Sequence, residues 1–194
     1  MKKLLFTLLF LTFGTAWGGA VEDGQAAADH KDYATAFKLW RPLAERGDAM
    51  AQFKLGWMYE SGSGVTKDYK EAIGWWRLAA KQGLADAQHN LGWMYRGGEG
   101  VPQDYKEAVM WFRLAAAQGL ADAQRSLGQM YAEGKGVLQD YTRAHMWFNL
   151  AGSAGEDFAT TDRDILALEK MTPQQIEKAQ EMAKACQARN FKGC

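Results

Sequence analysis

The sequence is short of the features that mark most enzymes and membrane anchors. Of its 194 residues only two are cysteine and three are histidine. The histidines, His30, His89 and His145, stand in unrelated contexts. None belongs to an H-E-x-x-H pair, which would set two imidazoles on one helical face for zinc. No G-x-S-x-G segment occurs, so the nucleophile elbow of the serine hydrolases is missing. Nothing in these patterns implies a cofactor or a metal. Past residue 20 there is no long apolar run, and a membrane-spanning helix needs about 20 such residues. An excess of one charge is lacking too, with 23 basic side chains against 23 acidic ones. That balance argues against a nucleic-acid binder, which carries a basic face.

The two cysteines, Cys186 and Cys194, both lie at the C-terminal end. Seven residues separate them, too many for a C-x-x-C redox pair. In an exported protein such a close, even pair reads as a disulfide. Closing so short a loop contributes about 2–3 kcal/mol in the chain-entropy model, enough to pin a tail. The first twenty residues carry the case for export. Lys2 and Lys3 precede the apolar stretch Leu4 to Phe13, and small residues follow as far as Ala20. This is the layout of a secretory signal peptide, 1–20. Cleavage fits best after Ala20, with Ala16 second, and leaves 21 basic against 23 acidic side chains. The mature protein is predicted to be periplasmic or secreted, without membrane insertion.

What the sequence does have is a period. Asp-Tyr recurs at 32, 68, 104 and 140, always 36 residues apart, and Asp68–Gln103 matches Asp104–Gln139 at 25 of 36 positions. A fixed period of this size marks a solenoid or array. Four residues after each aspartate stands Ala36, Ala72, Ala108 or Ala144, and four further on an aromatic, Trp40, Trp76, Phe112 or Phe148. Spacings of three and four trace one face of a helix, with the aspartate placed as its N-cap. Gly47, Gly83, Gly119 and Gly155 mark its end. A second helix carries Ala51, Leu55 and Tyr59, then Ala87, Leu91 and Tyr95, then Ala123, Leu127 and Tyr131. Gly56, Gly92 and Gly128 sit inside it, where glycine costs about 1 kcal/mol against alanine, and a neighbouring helix at close approach would account for them.

Each second helix leads into a glycine pair, Gly62-x-Gly64, Gly98-x-Gly100 or Gly134-x-Gly136. A dinucleotide loop needs G-x-G-x-x-G between strand and helix, and a P-loop ends in Gly-Lys-Ser/Thr. No copy completes either pattern. The glycines serve as turns that let Val65, Val101 and Val137 fold back onto the helix pair.

The ordered signals A-x-A-Q-x-x-L-G-x-M-Y, G-x-G-V, D-Y-x-x-A and W-[WF]-x-x-A-A-x-x-G together resemble the Sel1-like repeat family, a relative of the tetratricopeptide repeats, over about Asp32 to Gly155. The resemblance implies an all-α right-handed α-solenoid of helix-turn-helix repeats with a 36-residue period. On this reading residues 21–31 form an N-terminal capping helix and 32–155 the repeats (32–67, 68–103, 104–139, and 140–155 opening a degenerate fourth). Residues 156–194 form a C-terminal cap, with a helix starting at the capping box Thr172-Pro173-Gln174-Gln175 and the cysteine pair behind it. Some cysteine-rich members of the family are associated with β-lactam hydrolysis. However, Ser61, Ser63, Ser126 and Ser153 all lack the lysine of an S-x-x-K pair, and this chain has one cysteine pair rather than one per repeat.

The resemblance implies a non-enzymatic adaptor or scaffold for another protein; stacked helix pairs offer a concave face for it, and four pairs with caps bury enough apolar surface to fold as a monomer. The candidate contacts are Arg41, Arg77 and Arg113, at one column that ends in Asn149. Beside them run Trp75, Trp111 and Trp147, then Met110 and Met146. Arginine and tryptophan dominate binding hot spots, and methionine adapts to varied partners. Tryptophans at this spacing equally suit a core, and the arginines could pair with acids of adjacent repeats. Trp57 and Trp93 share a column with Gln129, which points to partial exposure. A second reading, an accessory protein that binds envelope polysaccharide or peptidoglycan, rests on tryptophan faces stacking on sugar rings. A β-lactam or cell-wall hydrolase is a third.

Overall fold

The computed structural model describes residues 9–194, with side chains from Gly19 onward. The basic start of the expected signal peptide and half of its apolar stretch therefore lie outside the described residues. All regular structure among the described residues is helical, in ten helices. They gather into two compact units, one ending at Gln82 and the other beginning at Gly83. No described helix is long and apolar enough to cross a membrane.

The first unit holds α1 (Leu9–Asp29), α2 (Tyr33–Glu45), α3 (Ala49–Ser61) and α4 (Tyr69–Lys81). The aspartates cap as the spacing predicts. Asp32 accepts from the Thr35 amide at 3.1 Å, and Asp68 accepts from those of Lys70 and Glu71 at 2.8 and 3.2 Å. Each such cap is worth about 1 kcal/mol. Ala36, Trp40, Leu43 and Ala44 of α2 are buried against Ala51, Leu55 and Met58 of α3. The Trp40 indole lies on Gly24 of α1 and donates to the Val21 carbonyl at 3.0 Å. Trp76 repeats the arrangement, lying on Gly56 and donating to the Phe53 carbonyl at 3.2 Å.

The second unit holds α5 (Ala85–Gly97), α6 (Tyr105–Ala116), α7 (Ala121–Glu133), α8 (Tyr141–Ser153), α9 (Asp157–Lys170) and α10 (Pro173–Ala188). Phe112 lies on Gly92, and Phe148 on Gly128. What approaches the mid-helix glycine is thus chiefly an aromatic ring of the neighbouring helix, joined at Gly128 by the Ala144 backbone carbonyl of α8, and a β-carbon there would overlap it. The ring removes roughly 150–250 Å² from water. At about 25 cal/mol per Å² this outweighs the cost of glycine in a helix. The second glycine of the loop after α7, Gly136, has φ +72° and is wedged against the Tyr105 carbonyl at the start of α6.

A buried glutamine ties helix pairs together. Gln52 and Gln124 donate to the Ala44 and Ala116 carbonyls at 3.1 and 3.3 Å, which closes helix ends that would otherwise carry unpaired acceptors. Past Gly155 the repeat pattern fades in sequence, yet α9 keeps its register. Ala159 is buried at the column of Ala123, and Leu166 at that of Met130. Helix α10 opens on the expected capping box, with the Gln175 amide donating to Thr172 Oγ1 at 3.3 Å and the Thr172 amide to Gln175 Oε1 at 2.8 Å. It packs on α8 through the buried small residues Ala179, Ala183 and Cys186. Cys186 and Cys194 form a disulfide with their Cα atoms 5.7 Å apart. The chain between them turns through left-handed residues at Asn190 and Phe191.

Candidate protein-docking site

In the second unit the α6 sequence divides cleanly. Ala108, Val109, Phe112, Ala115 and Ala116 face the core, and Lys106, Met110, Arg113 and Leu114 face out. Met110 and Leu114, one turn apart, remain 41% and 45% exposed. They border two adjoining hollows that share Arg113 and Leu114. One, of about 360 Å³, runs from Lys106 to Val137. The other, of about 440 Å³, reaches Tyr131, Arg143, Trp147 and the disulfide-held tail at Phe191, Gly193 and Cys194.

Two guanidinium groups converge in this groove. Arg113 Nη2 donates to the Tyr131 hydroxyl at 3.1 Å, and Arg143 Nη1 to the same oxygen at 3.4 Å. Tyr131 is itself buried, so the shared acceptor is fixed. Arg143 Nε also lies 3.5 Å from the cap carboxylate of Asp140, at the rim. Lys106, Arg113 and Arg143 line the two hollows, and no acidic side chain does.

A third hollow of this unit, about 380 Å³ between α7 and α9, is different in kind. Three of its charges, Arg96, Glu133 and Asp162, already have partners. Arg96 reaches Gln129 at 3.1 Å and Glu133 at 3.4 Å, and Arg125 pairs with Asp162 at 2.7 Å. A surface whose guanidinium groups are already paired offers an acidic partner less.

The structure sorts the sequence candidates. Arg113 and Met110 come together at the groove. Trp147 lies at its floor but is only 2% exposed, and Met146 is also 2% exposed. Both belong to the core of the second unit, because α10 and its tail cover α8 on a side that the repeats alone would leave open. This corrects their reading as surface contacts. Trp111 is half-buried on α6, and Trp75 on α4 packs against the core of the first unit. In that unit Arg41 is exposed, pairs with Glu45 at 2.9 Å and lies over the Phe37 ring, and Arg77 is exposed on α4. Asn149, the last member of the arginine column, accepts from Arg163 at 3.2 Å.

Sequence reasoning missed Leu114, Arg143 and Phe191. A signal for Arg143 was present. Its column holds Glu71 and Glu107 in the preceding copies, so the charge reverses there. Burial depresses the proton affinity of two of the histidines. His89 is held neutral chiefly by desolvation, opposed by Asp122 and Asp86, and it accepts from the Trp93 indole N–H at 2.9 Å. His145 is lowered by burial and then by Arg163.

A family model for the Sel1 repeat matches residues 20–48, 49–84, 85–120 and 121–156. Its copies open at the glycine-bearing helix of each pair, and the last three keep the period of 36. Among solved structures, a Sel1 repeat protein from Oxalobacter formigenes is 29% identical, with 86% of this chain and 75% of that one covered and a TM-score of 0.73. A protective antigen present in uropathogenic Escherichia coli strains, displaying an SLR fold, is 36% identical with a TM-score of 0.74. There 81% of this chain aligns to 34% of the antigen, so the chain spans about a third of it. No curated protein matches. Proteins of this kind generally mediate protein–protein interaction and are generally scaffolds rather than enzymes. With four contiguous matched repeats on an all-α solenoid, this chain belongs to the Sel1 repeat family.

Proposed function

We propose that the protein is an exported, non-enzymatic adaptor that works as a monomer and docks a protein partner on the α6–α8 face of its second unit. The observation that carries this reading is the exposed pair Met110 and Leu114 beside Arg113, set over a groove with a fixed aromatic floor. Apolar surface at a groove rimmed by guanidinium groups has the composition of an interface hot spot. Each unit buries its own alanine and aromatic core, so folding requires no second copy. The basic start, the apolar stretch and the Cys186–Cys194 disulfide support export to an oxidising compartment. Arg41 and Arg77 remain candidate contacts of the first unit.

The test is crosslinking capture from envelope extract, comparing the parent with a Met110→Glu/Leu114→Glu variant. A specific protein held by the parent and lost from an equally stable variant supports the adaptor. Equal capture by both removes this face from the reading.

One observation favours envelope glycan as the alternative ligand. Trp93 is 42% exposed on α5, although its N–H is engaged by His89, Arg96 lies 4.8 Å from its centroid, and the His89 and Phe112 rings stand edge-on to it at 6.2 and 6.0 Å. Sedimentation with purified peptidoglycan, accompanied by a Trp93-dependent fluorescence change, would move the assignment to glycan. Absence of both retires that reading.

A further inference from the structure

The arginine column behaves differently in the two units, and the difference identifies what the groove takes. In the first unit Arg41 has two carboxylates. Glu45 pairs with it directly at 2.9 Å, and Tyr59 and then Glu71 add weaker favourable fields. Arg113 stands two periods on, and Tyr131 takes the place of Tyr59. The positions of both carboxylates have changed. Ala117 occupies the Glu45 column, and Arg143 occupies the Glu71 column. Among the described residues the hydrogen bond of Arg113 goes to the Tyr131 hydroxyl, and no carboxylate pairs with it.

The result is two like charges brought to one neutral oxygen. Their repulsion is compensated only partly by Asp140, an exposed cap whose other oxygen already accepts from the Arg143 amide at 2.9 Å. A carboxylate entering from outside would restore what Glu71 supplies in the earlier copy. Guanidinium groups bind carboxylates through paired, charge-assisted hydrogen bonds, and the buried Tyr131 holds both of these in advance. The surroundings restrict the source of the anion. Met110 and Leu114 lie exposed beside the arginines, and Phe191 of the tail lines the same hollow as Leu114, so the surroundings favour an apolar group that accompanies the charge.

We infer that Arg113 and Arg143 form a recognition point for a glutamate or aspartate side chain in an extended segment of the partner protein, whose flanking apolar residues lie on Met110 and Leu114. This rests on the adaptor reading and gives it a ligand chemistry.

The test is an array of capped seven-residue peptides with Glu or Asp between two apolar residues, each beside its Gln or Asn twin. It is probed with the full protein, disulfide intact, and with Arg113→Gln and Arg143→Glu. The second variant returns the repeat's own carboxylate to the groove, so it is expected to fold with unchanged or higher thermal stability. The parent should hold acidic members about tenfold tighter than their twins, a step of about 1.4 kcal/mol, and both variants should lose that preference. Equal binding of acid and amide twins overturns the inference. So does a preference that survives in a folded Arg143→Glu, or one that inorganic sulfate abolishes at the same concentration as a free acidic peptide. In the capture experiment above, a partner retained by Arg143→Glu but lost from Met110→Glu/Leu114→Glu keeps the adaptor and removes the carboxylate point. Absence of any partner removes the adaptor itself.

Discussion

Gln118 Nε2 donates to Gln88 Oε1 at 2.8 Å, and Gln82 makes the same bond to Gln52 one period earlier, also at 2.8 Å. The buried amide of the glycine-bearing helix is thereby satisfied by the helix end that follows it. One period later the donor position holds Ala154, and the Oε1 of the fully buried Gln124 has no partner among the described residues.

Ala154→Gln therefore supplies a missing hydrogen bond. It should stabilise the second unit by about 1 kcal/mol, the net worth of such a bond to a buried acceptor. Urea unfolding reads it directly: a higher midpoint at unchanged slope is expected, and a midpoint at or below the parent's rejects the pairing.

Two glycines in helices should respond in opposite directions to alanine. At Gly128 the new methyl would meet the Phe148 ring at 2.6 Å, and overpacking of this kind costs about 1–3 kcal/mol. At Gly74, exposed on α4, nothing lies within reach of the β-carbon, so Gly74→Ala gains helix propensity, about 1 kcal/mol. Thermal melts of the two variants should move apart; a shared direction contradicts the ring-on-glycine packing.

Acid should weaken the second unit through His89. Its proton affinity in the fold is lowered by burial, and the Trp93 indole already donates to Nε2. The unfolded chain thus takes up a proton first. The stability tied to the neutral ring is present above about pH 6.5, the ordinary histidine value, and is lost as the pH falls through the lower folded value. His145 shifts in the same direction. Melting temperature should fall below about pH 6.5 and fall less in His89→Gln, whose side-chain oxygen can still accept from Trp93. A pH-independent parent would contradict the assignment.

Much of this structure was readable in the repeat itself. The alanine, aromatic and mid-helix glycine columns recur because the same contact is built several times, and repetition makes a contact visible. Gly24 escaped the 36-residue ruler because the loop after α1 is four residues shorter than its successors. The groove escaped because it is made of departures from the columns: Arg143 where the two preceding copies hold glutamate, and Ala117 where the first holds Glu45. Met146 and Trp147 were misplaced for a related reason, since the helix that buries them lies outside the repeat.

The C-terminal cystine also ties recognition to chemical surroundings. Phe191, Gly193 and Cys194 form one wall of the groove and are held there by Cys186. In a reducing cytosol both sulfurs would be thiols, and the tail would keep only contacts such as the bond from the Phe191 amide to the Cys186 carbonyl at 3.0 Å. On the export and the carboxylate recognition proposed above, oxidation would tie that wall down, and a newly made chain would meet acidic segments of cytosolic proteins with a looser site than the one it presents after export.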